Sequence, residues 1–267
     1  MKRRNFLRSM AAAGMAATMT GASLVRPGRS NAAGKVSFGE VKNVKVDVLS
    51  ETSWFNNDIP KKNMMDYGGA MTNQYTVPWD WENAGGYAAL ITVTMLDGKE
   101  KKILLDSGWN TEWMDYIFQE KSNVAEMLKK GEIDTMVISH FHLDHYWGIE
   151  STLKHKPDIT IFAPNTYYPE DMALLKEKAH LKAKDKDGKE VAICSNDHPH
   201  TGKLELCKPE GQKGDGIYQI MPGVAYKVFD VPILLRVRGE GVLYFNVKDR
   251  SEEHKSELQA RQVIPYA

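Results

Sequence analysis

The chain has 267 residues, enough for one large domain or two small ones, and its 35 basic residues balance 35 acidic ones. That balance removes the electrostatic case for nucleic acid or an anionic membrane surface, so a small-molecule substrate is the expected partner. With 42% of residues apolar and aromatics spread along the length, the chain can bury a sizeable core, which argues against intrinsic disorder.

Residues 1–32 have the order of an export signal. Basic Lys2-Arg3-Arg4 precedes a small-residue apolar run over 10–24, and Ser30-Asn31-Ala32 offers a cleavage site. Arg3-Arg4-Asn5-Phe6-Leu7-Arg8 resembles the twin-arginine motif, which implies the twin-arginine export machinery as a partner and a periplasmic or exported product. A membrane anchor is the alternative, but this run is rich in alanine, glycine and threonine, whereas a span needs about 20 strongly apolar residues. Export would permit a Cys194–Cys207 disulfide; two cysteines in a large domain are as often free and buried, and the pairing stays open.

Alternation predicts strands over 44–49 and 87–95. Asp97-Gly98 then turns the chain into a strand over 102–105, giving a hairpin across 87–105. The segment 50–86 lacks periodicity and holds Trp54, Phe55, Tyr67, Tyr75, Trp79 and Trp81. It reads either as a wall over an active site or as a surface loop pinned by its own aromatics. Thr111 is expected to cap a helix, Asn123 with Glu126 to start another ending near Gly131, and 135–138 to form a short strand. Residues 146–154 read as helix, 159–162 as strand, and Pro169 opens a helix through Lys178. Beyond Gly188 the pattern turns to strands, with 224–231 and 233–247 paired through a turn at Gly239-Glu240-Gly241. The class is α/β with mixed sheets.

The strand over 135–138 runs into Ser139-His140-Phe141-His142-Leu143-Asp144-His145. At a strand end, side chains two apart point the same way, so His140 and His142 can grip one metal while Asp144 and His145 face a second. Three of only eight histidines fall within these six residues, which argues against a chance surface cluster. Here the chain resembles the metallo-β-lactamase superfamily, whose signature is His-x-His-x-Asp-His at the end of a strand. The resemblance spans residues 44–249 and implies an αββα sandwich with two zinc ions, His140 and His142 holding the first and Asp144 and His145 the second.

It also implies that Asp106, in Leu104-Leu105-Asp106-Ser107-Gly108, supports the metal loop. The activity implied is hydrolysis of an ester, amide or phosphoester by a metal-bound hydroxide, with Asp144 as the catalytic orienting group. Diiron relatives place glutamate where His142 stands, which favours zinc over manganese or iron. Two weaker runs, Asn83-Ala84-Gly85-Gly86-Tyr87-Ala88-Ala89-Leu90-Ile91 and Pro232-Ile233-Leu234-Leu235-Arg236-Val237, resemble the dihydropterin-aminobenzene-phosphate synthase-like subgroup. A transferase of that subgroup and a non-catalytic exported metal-binding module are the alternatives.

A complete site of this family needs further ligands from later strands. His198 and His200 are candidates, although Asn196-Asp197-His198-Pro199-His200-Thr201-Gly202 also reads as a polar turn. Residues 250–259, Arg-Ser-Glu-Glu-His-Lys-Ser-Glu-Leu-Gln, resemble a translated sequencing adapter; an amphipathic helix is the alternative. On the adapter reading the order is a signal over 1–32, a domain over 33–249 incomplete at its C-terminus, and a non-native tail over 250–267. His254 is then no ligand, and the chain as it stands is expected to be unstable, to bind zinc weakly and to lack activity.

Overall fold

The computed structural model describes residues 37–80, 83–176, 182–184, 190–192 and 198–248. The expectations for residues 1–32, Cys194 and 250–267 fall outside these residues. Every element below lies in the compact unit that begins at Phe38.

Strands β1 (Asn43–Ser50), β2 (Ala88–Thr94), β3 (Glu100–Leu105), β4 (Ile133–Val137), β5 (Thr160–Pro164) and β8 (Leu204–Cys207) form one sheet in the order β1-β2-β3-β4-β5-β8. The first two pairings are antiparallel, and those from β3 through β8 are parallel. The β2–β3 hairpin closes at the expected Asp97-Gly98: Met95 N donates to Lys99 O at 2.8 Å and Gly98 N to Met95 O at 2.9 Å. A second sheet, β11-β10-β9, joins β9 (Tyr218–Met221), β10 (Val224–Ile233) and β11 (Val237–Phe245), all antiparallel. A separate pair links β6 (Lys182–Lys184) with β7 (Glu190–Ala192).

Residue alternation assigns each face of the first sheet. Ile91, Val93, Ile103, Val137 and Phe162 meet Tyr218, Val224, Tyr226, Val228 and Leu243 of the second sheet in one apolar layer. Leu90, Leu104, Met136 and Ile161 point the other way, onto Met114, Phe118, Leu128, Tyr146, Trp147 and Leu153. The mixed α/β class is the expected one, and the described residues supply the helix, sheet and sheet layers of the expected sandwich. On the outer face of the second sheet Phe229, Val231 and Tyr244 are exposed.

Two local expectations are corrected. The helix Thr111–Tyr116 is capped by Asn110, which has extended backbone and accepts from Trp113 N at 3.1 Å through its Oδ1, so Thr111 is already helical. The turn between β10 and β11 lies at Leu234–Arg236, while Gly239-Glu240-Gly241 lies inside β11, where Gly241 pairs with Val228. Those glycines answer to packing: a Cβ at Gly241 would lie 1.9 Å from the Tyr226 hydroxyl. Cys207 is a free, buried thiol.

Candidate metal centre

Because β3, β4 and β5 are parallel, their C-terminal ends share one edge, and the chain leaving that edge builds the site. Asp106 follows β3 in a left-handed conformation (φ 57°), fixed by its own N–H to Val137 O at 2.8 Å. Ser139 to His145 follow β4, and the short helix Leu143–Tyr146 begins within the motif. Gly86 (φ 79°) lets the strand entering β2 run against this loop: a Cβ there would lie 2.3 Å from Trp109 N and 2.5 Å from Asp144 O. Tyr87 N donates to that Asp144 carbonyl at 2.7 Å.

The buried Asp106 carboxylate organises the centre. Its Oδ1 accepts from Ser139 N at 2.7 Å, and its Oδ2 accepts from Ser139 Oγ at 2.6 Å and from His145 Nδ1 at 2.7 Å. His140 Nδ1 stands 3.0 Å from Ser139 Oγ, and His142 Nε2 donates to Leu234 O at 2.7 Å. These partners assign two of the tautomers. The Leu234 carbonyl and the Asp106 carboxylate hold the N–H of His142 on Nε2 and that of His145 on Nδ1, leaving the lone pairs of His142 Nδ1 and His145 Nε2 for a ligand, while the His140 ring meets a partner 3.0 Å from each nitrogen. His140 Nε2 and His142 Nδ1 are 3.0 Å apart, a hydrogen bond when His140 carries its N–H on Nε2 and a pair of converging lone pairs when it carries it on Nδ1.

In the second tautomer the two nitrogens repel unless a cation sits against both. A tetrahedral zinc with N bonds of about 2.0–2.1 Å spaces its ligand nitrogens roughly 3.3 Å apart, so the pair fits one edge of such a site. Asp144 Oδ2 and His145 Nε2, 3.8 Å apart, form the facing pair. Among the described residues no group of three or more His, Cys, Asp or Glu converges as a metal cage.

The electrostatics differ along the motif. Burial, reinforced by His145 and His142, holds His140 well below the usual imidazole range and therefore neutral. His142 is also lowered by burial, against the opposing pull of Asp144 and the Leu234 carbonyl. Burial acts to lower His145 too, but the Asp144 and Asp106 carboxylates outweigh it and hold this imidazole up at about 9.

The aromatic segment proves to be both wall and pin. Gln74 is buried and staples it to the metal loop, donating from Nε2 to Phe141 O at 2.7 Å and accepting from Leu143 N at 3.1 Å. Trp54 stacks on Trp79 at 5.8 Å and meets Trp109 edge-on at 4.4 Å. With Met64, Leu143 and Leu234 these rings line a cavity of about 290 Å³ that opens beside His142 and Asp144. Its rim includes Leu235, which like Arg236 has a left-handed backbone (φ 56° each), a conformation costing a non-glycine residue about 1–2 kcal/mol.

The later histidine candidates lie elsewhere. His200 Nε2 donates to Ile159 O at 2.7 Å and Thr201 N to Pro157 O at 2.8 Å, which places this loop at the start of β5, across the sheet from the motif. Residues unforeseen from the sequence border the motif instead: Ser139, the Leu234 carbonyl and Glu240, whose Oε2 is 3.6 Å from His140 Nδ1. Burial, reinforced by Asp106 and opposed by His145, raises the Glu240 carboxyl to about 7. Its flanking glycines were its sequence signal, masked because Gly-Glu-Gly also fits a turn.

Comparison with known proteins follows the same residues. No curated protein matches the chain. Among solved structures it is similar to a metallo-β-lactamase of Cronobacter sakazakii with a HARLDQ motif, at 15% identity and a TM-score of 0.32, covering 61% of this chain and 53% of that one. It is also similar to a metallo-β-lactamase from Novosphingobium pentaromativorans, at 16% identity and a TM-score of 0.34, covering 67% and 65% respectively. The chain thus spans between about half and two thirds of these two proteins. The family profile described as the metallo-beta-lactamase superfamily matches residues 86–242, from the glycine that admits β2 to the middle of β11. With its metal loop inside that match, the chain belongs to the metallo-β-lactamase superfamily.

Proposed function

We propose that the protein is a hydrolase dependent on two divalent cations, zinc by preference, acting on an ester, amide or phosphoester. The observation that carries this reading is the convergence of His140 Nε2 and His142 Nδ1, 3.0 Å apart, each ring with its other nitrogen held by an outer partner. His140 and His142 would hold one ion, Asp144 and His145 the other. When bound, such ions supply Lewis acidity and bring the pKa of a water toward 7. Asp144 accepts a hydrogen bond from the attacking water and orients it, while Asp106 keeps His145 in the ligating tautomer. The apolar cavity beside His142 and Asp144 shields the reacting bond from bulk water.

The test is zinc reconstitution of the purified protein, followed by metal analysis and turnover of p-nitrophenyl acetate, bis-p-nitrophenyl phosphate and a chromogenic β-lactam. Made in a relative that carries the further ligands the family's site needs, His142→Ala and Asp144→Ala are each expected to lose more than about a hundredfold in rate together with bound metal. Full zinc occupancy in both variants would sink the assignment. Turnover with no metal requirement would do so as well. Export through the twin-arginine pathway is proposed alongside, from the Arg3-Arg4 run; Arg3→Lys/Arg4→Lys should strand the protein in the cytoplasm, and unchanged export would refute it.

A further inference from the structure

Of the three imidazoles in the centre, His145 is backed by a carboxylate and His142 by a backbone carbonyl, each at 2.7 Å. His140 has a weaker nearest partner, Ser139 Oγ at 3.0 Å, whose own proton is committed to Asp106 Oδ2. Behind that contact lies Glu240, with Oε2 3.6 Å from His140 Nδ1 and its side chain 38% exposed. We infer that Glu240 is a positioning residue for the metal centre, a carboxylate that backs His140 as Asp106 backs His145. This rests on the metal-dependent reading proposed above.

Three features place Glu240 there by construction. Gly241 N donates to Ser139 O at 2.7 Å, tying β11 to the loop that carries His140. That approach requires glycine, because any Cβ at Gly241 would overlap the Tyr226 ring and hydroxyl. Tyr226 in turn donates from its hydroxyl to Ile138 O at 2.8 Å, holding the same loop two residues before His140. Glu240 is therefore held at a fixed height against the metal loop by bonds on both sides.

The position is a liability without metal. Glu240 stands partly buried on the same side of the motif as Asp106, its Oε2 3.6 Å from His140 Nδ1, beyond hydrogen-bond reach, so two carboxylates crowd the rings with little direct bonding in return. With a divalent cation on His140 Nε2, the opposite N–H becomes a stronger donor and carries positive charge toward Glu240. Asp106, Asp144 and Glu240 together then match the charge of the bound cations. Glu240 thus favours the loaded state over the empty one.

Opposite signs in two measurements distinguish this from a packing role. In Glu240→Gln, which keeps size and removes charge, zinc affinity measured by chelator competition should fall about tenfold. The thermal midpoint of the metal-free variant should stay level or rise. Cobalt-substituted protein should keep its absorption band positions, since no ligand is lost. Arg238→Ala, on the same strand in the exposed ion pair with Asp230, should alter neither affinity nor bands. Unchanged zinc affinity in Glu240→Gln would overturn the inference, and so would a lowered metal-free midpoint or a shifted cobalt spectrum. Failure to bind zinc even with the further ligands of the site supplied would instead overturn the metal-dependent reading, and this inference with it.

Discussion

The two sheets contribute to the metal centre in different currencies. The first provides every candidate ligand within six consecutive residues after β4, together with Asp106 after β3. The second provides no histidine to the centre, yet its β10–β11 hairpin touches the metal loop four times. Leu234 O accepts from His142, Glu240 faces His140, Gly241 N binds Ser139 O, and Tyr226 binds Ile138 O. Ligand identity is therefore local in the chain, while ligand orientation is long-range: the restraining partners lie 33, 39, 88 and 92 residues away. A metal loop with short, adjacent ligands needs such distant braces because a strand-end loop by itself samples many rotamers.

If this division is right, the largest effect should come where the first sheet is closed against its own loop. Gly86→Ala adds a Cβ 2.3 Å from Trp109 N at a positive φ, combining left-handed strain with backbone overlap. A loss of about 3 kcal/mol or more is expected in denaturant unfolding, enough to lower folded yield. A loss below about 1 kcal/mol would show that the segment before β2 yields freely, and that the loop is not clamped from this side. Next comes Asp106→Asn, which keeps shape but replaces a charged double acceptor with an amide. Zinc affinity should drop between about tenfold and a hundredfold, and equal affinity in chelator competition would remove Asp106 from the centre. Gln74→Ala leaves Phe141 O and Leu143 N without their side-chain partner in a buried setting. Its expected cost is about 1–3 kcal/mol in thermal or denaturant unfolding, and a neutral result would detach the aromatic wall from the metal loop.

Much of the first sheet was legible in the sequence because its signals are local. The β2–β3 hairpin announces itself by alternation on both sides of Asp97-Gly98, and the metal motif by three histidines and an aspartate at fixed spacing. The second sheet was read less well. Gly239-Glu240-Gly241 carries the composition of a turn, but the glycines are there because Tyr226 and Thr166 occupy the space of their side chains. The real turn, Leu234–Arg236, contains no glycine at all and holds two residues in left-handed conformation, so no turn propensity marks it. For the same reason Leu234 O could not be foreseen as the acceptor for His142: a backbone carbonyl has no residue signature. His198 and His200 fail in the opposite direction, having the right chemistry in a loop that the parallel order β4-β5-β8 delivers to the far edge.

The smallest expected effect is the sharpest discriminator between the sheets. Tyr226 is fully buried, and its hydroxyl gives one bond to Ile138 O at the root of the metal loop. Tyr226→Phe keeps the ring that packs between the sheets and removes only that bond, so stability should fall by about 1 kcal/mol. Were the second sheet merely a cover, the loss would appear in unfolding alone and zinc affinity would not move. If the hairpin braces the ligands, affinity must fall too, by a factor of about 2–5, because part of the lost energy was holding His140 at its ligating angle. Combining Tyr226→Phe with Glu240→Gln then gives a double-mutant cycle on one strand pair. Additive losses of affinity would separate the two braces, whereas a combined loss smaller than their sum would mean that both act by placing the same imidazole.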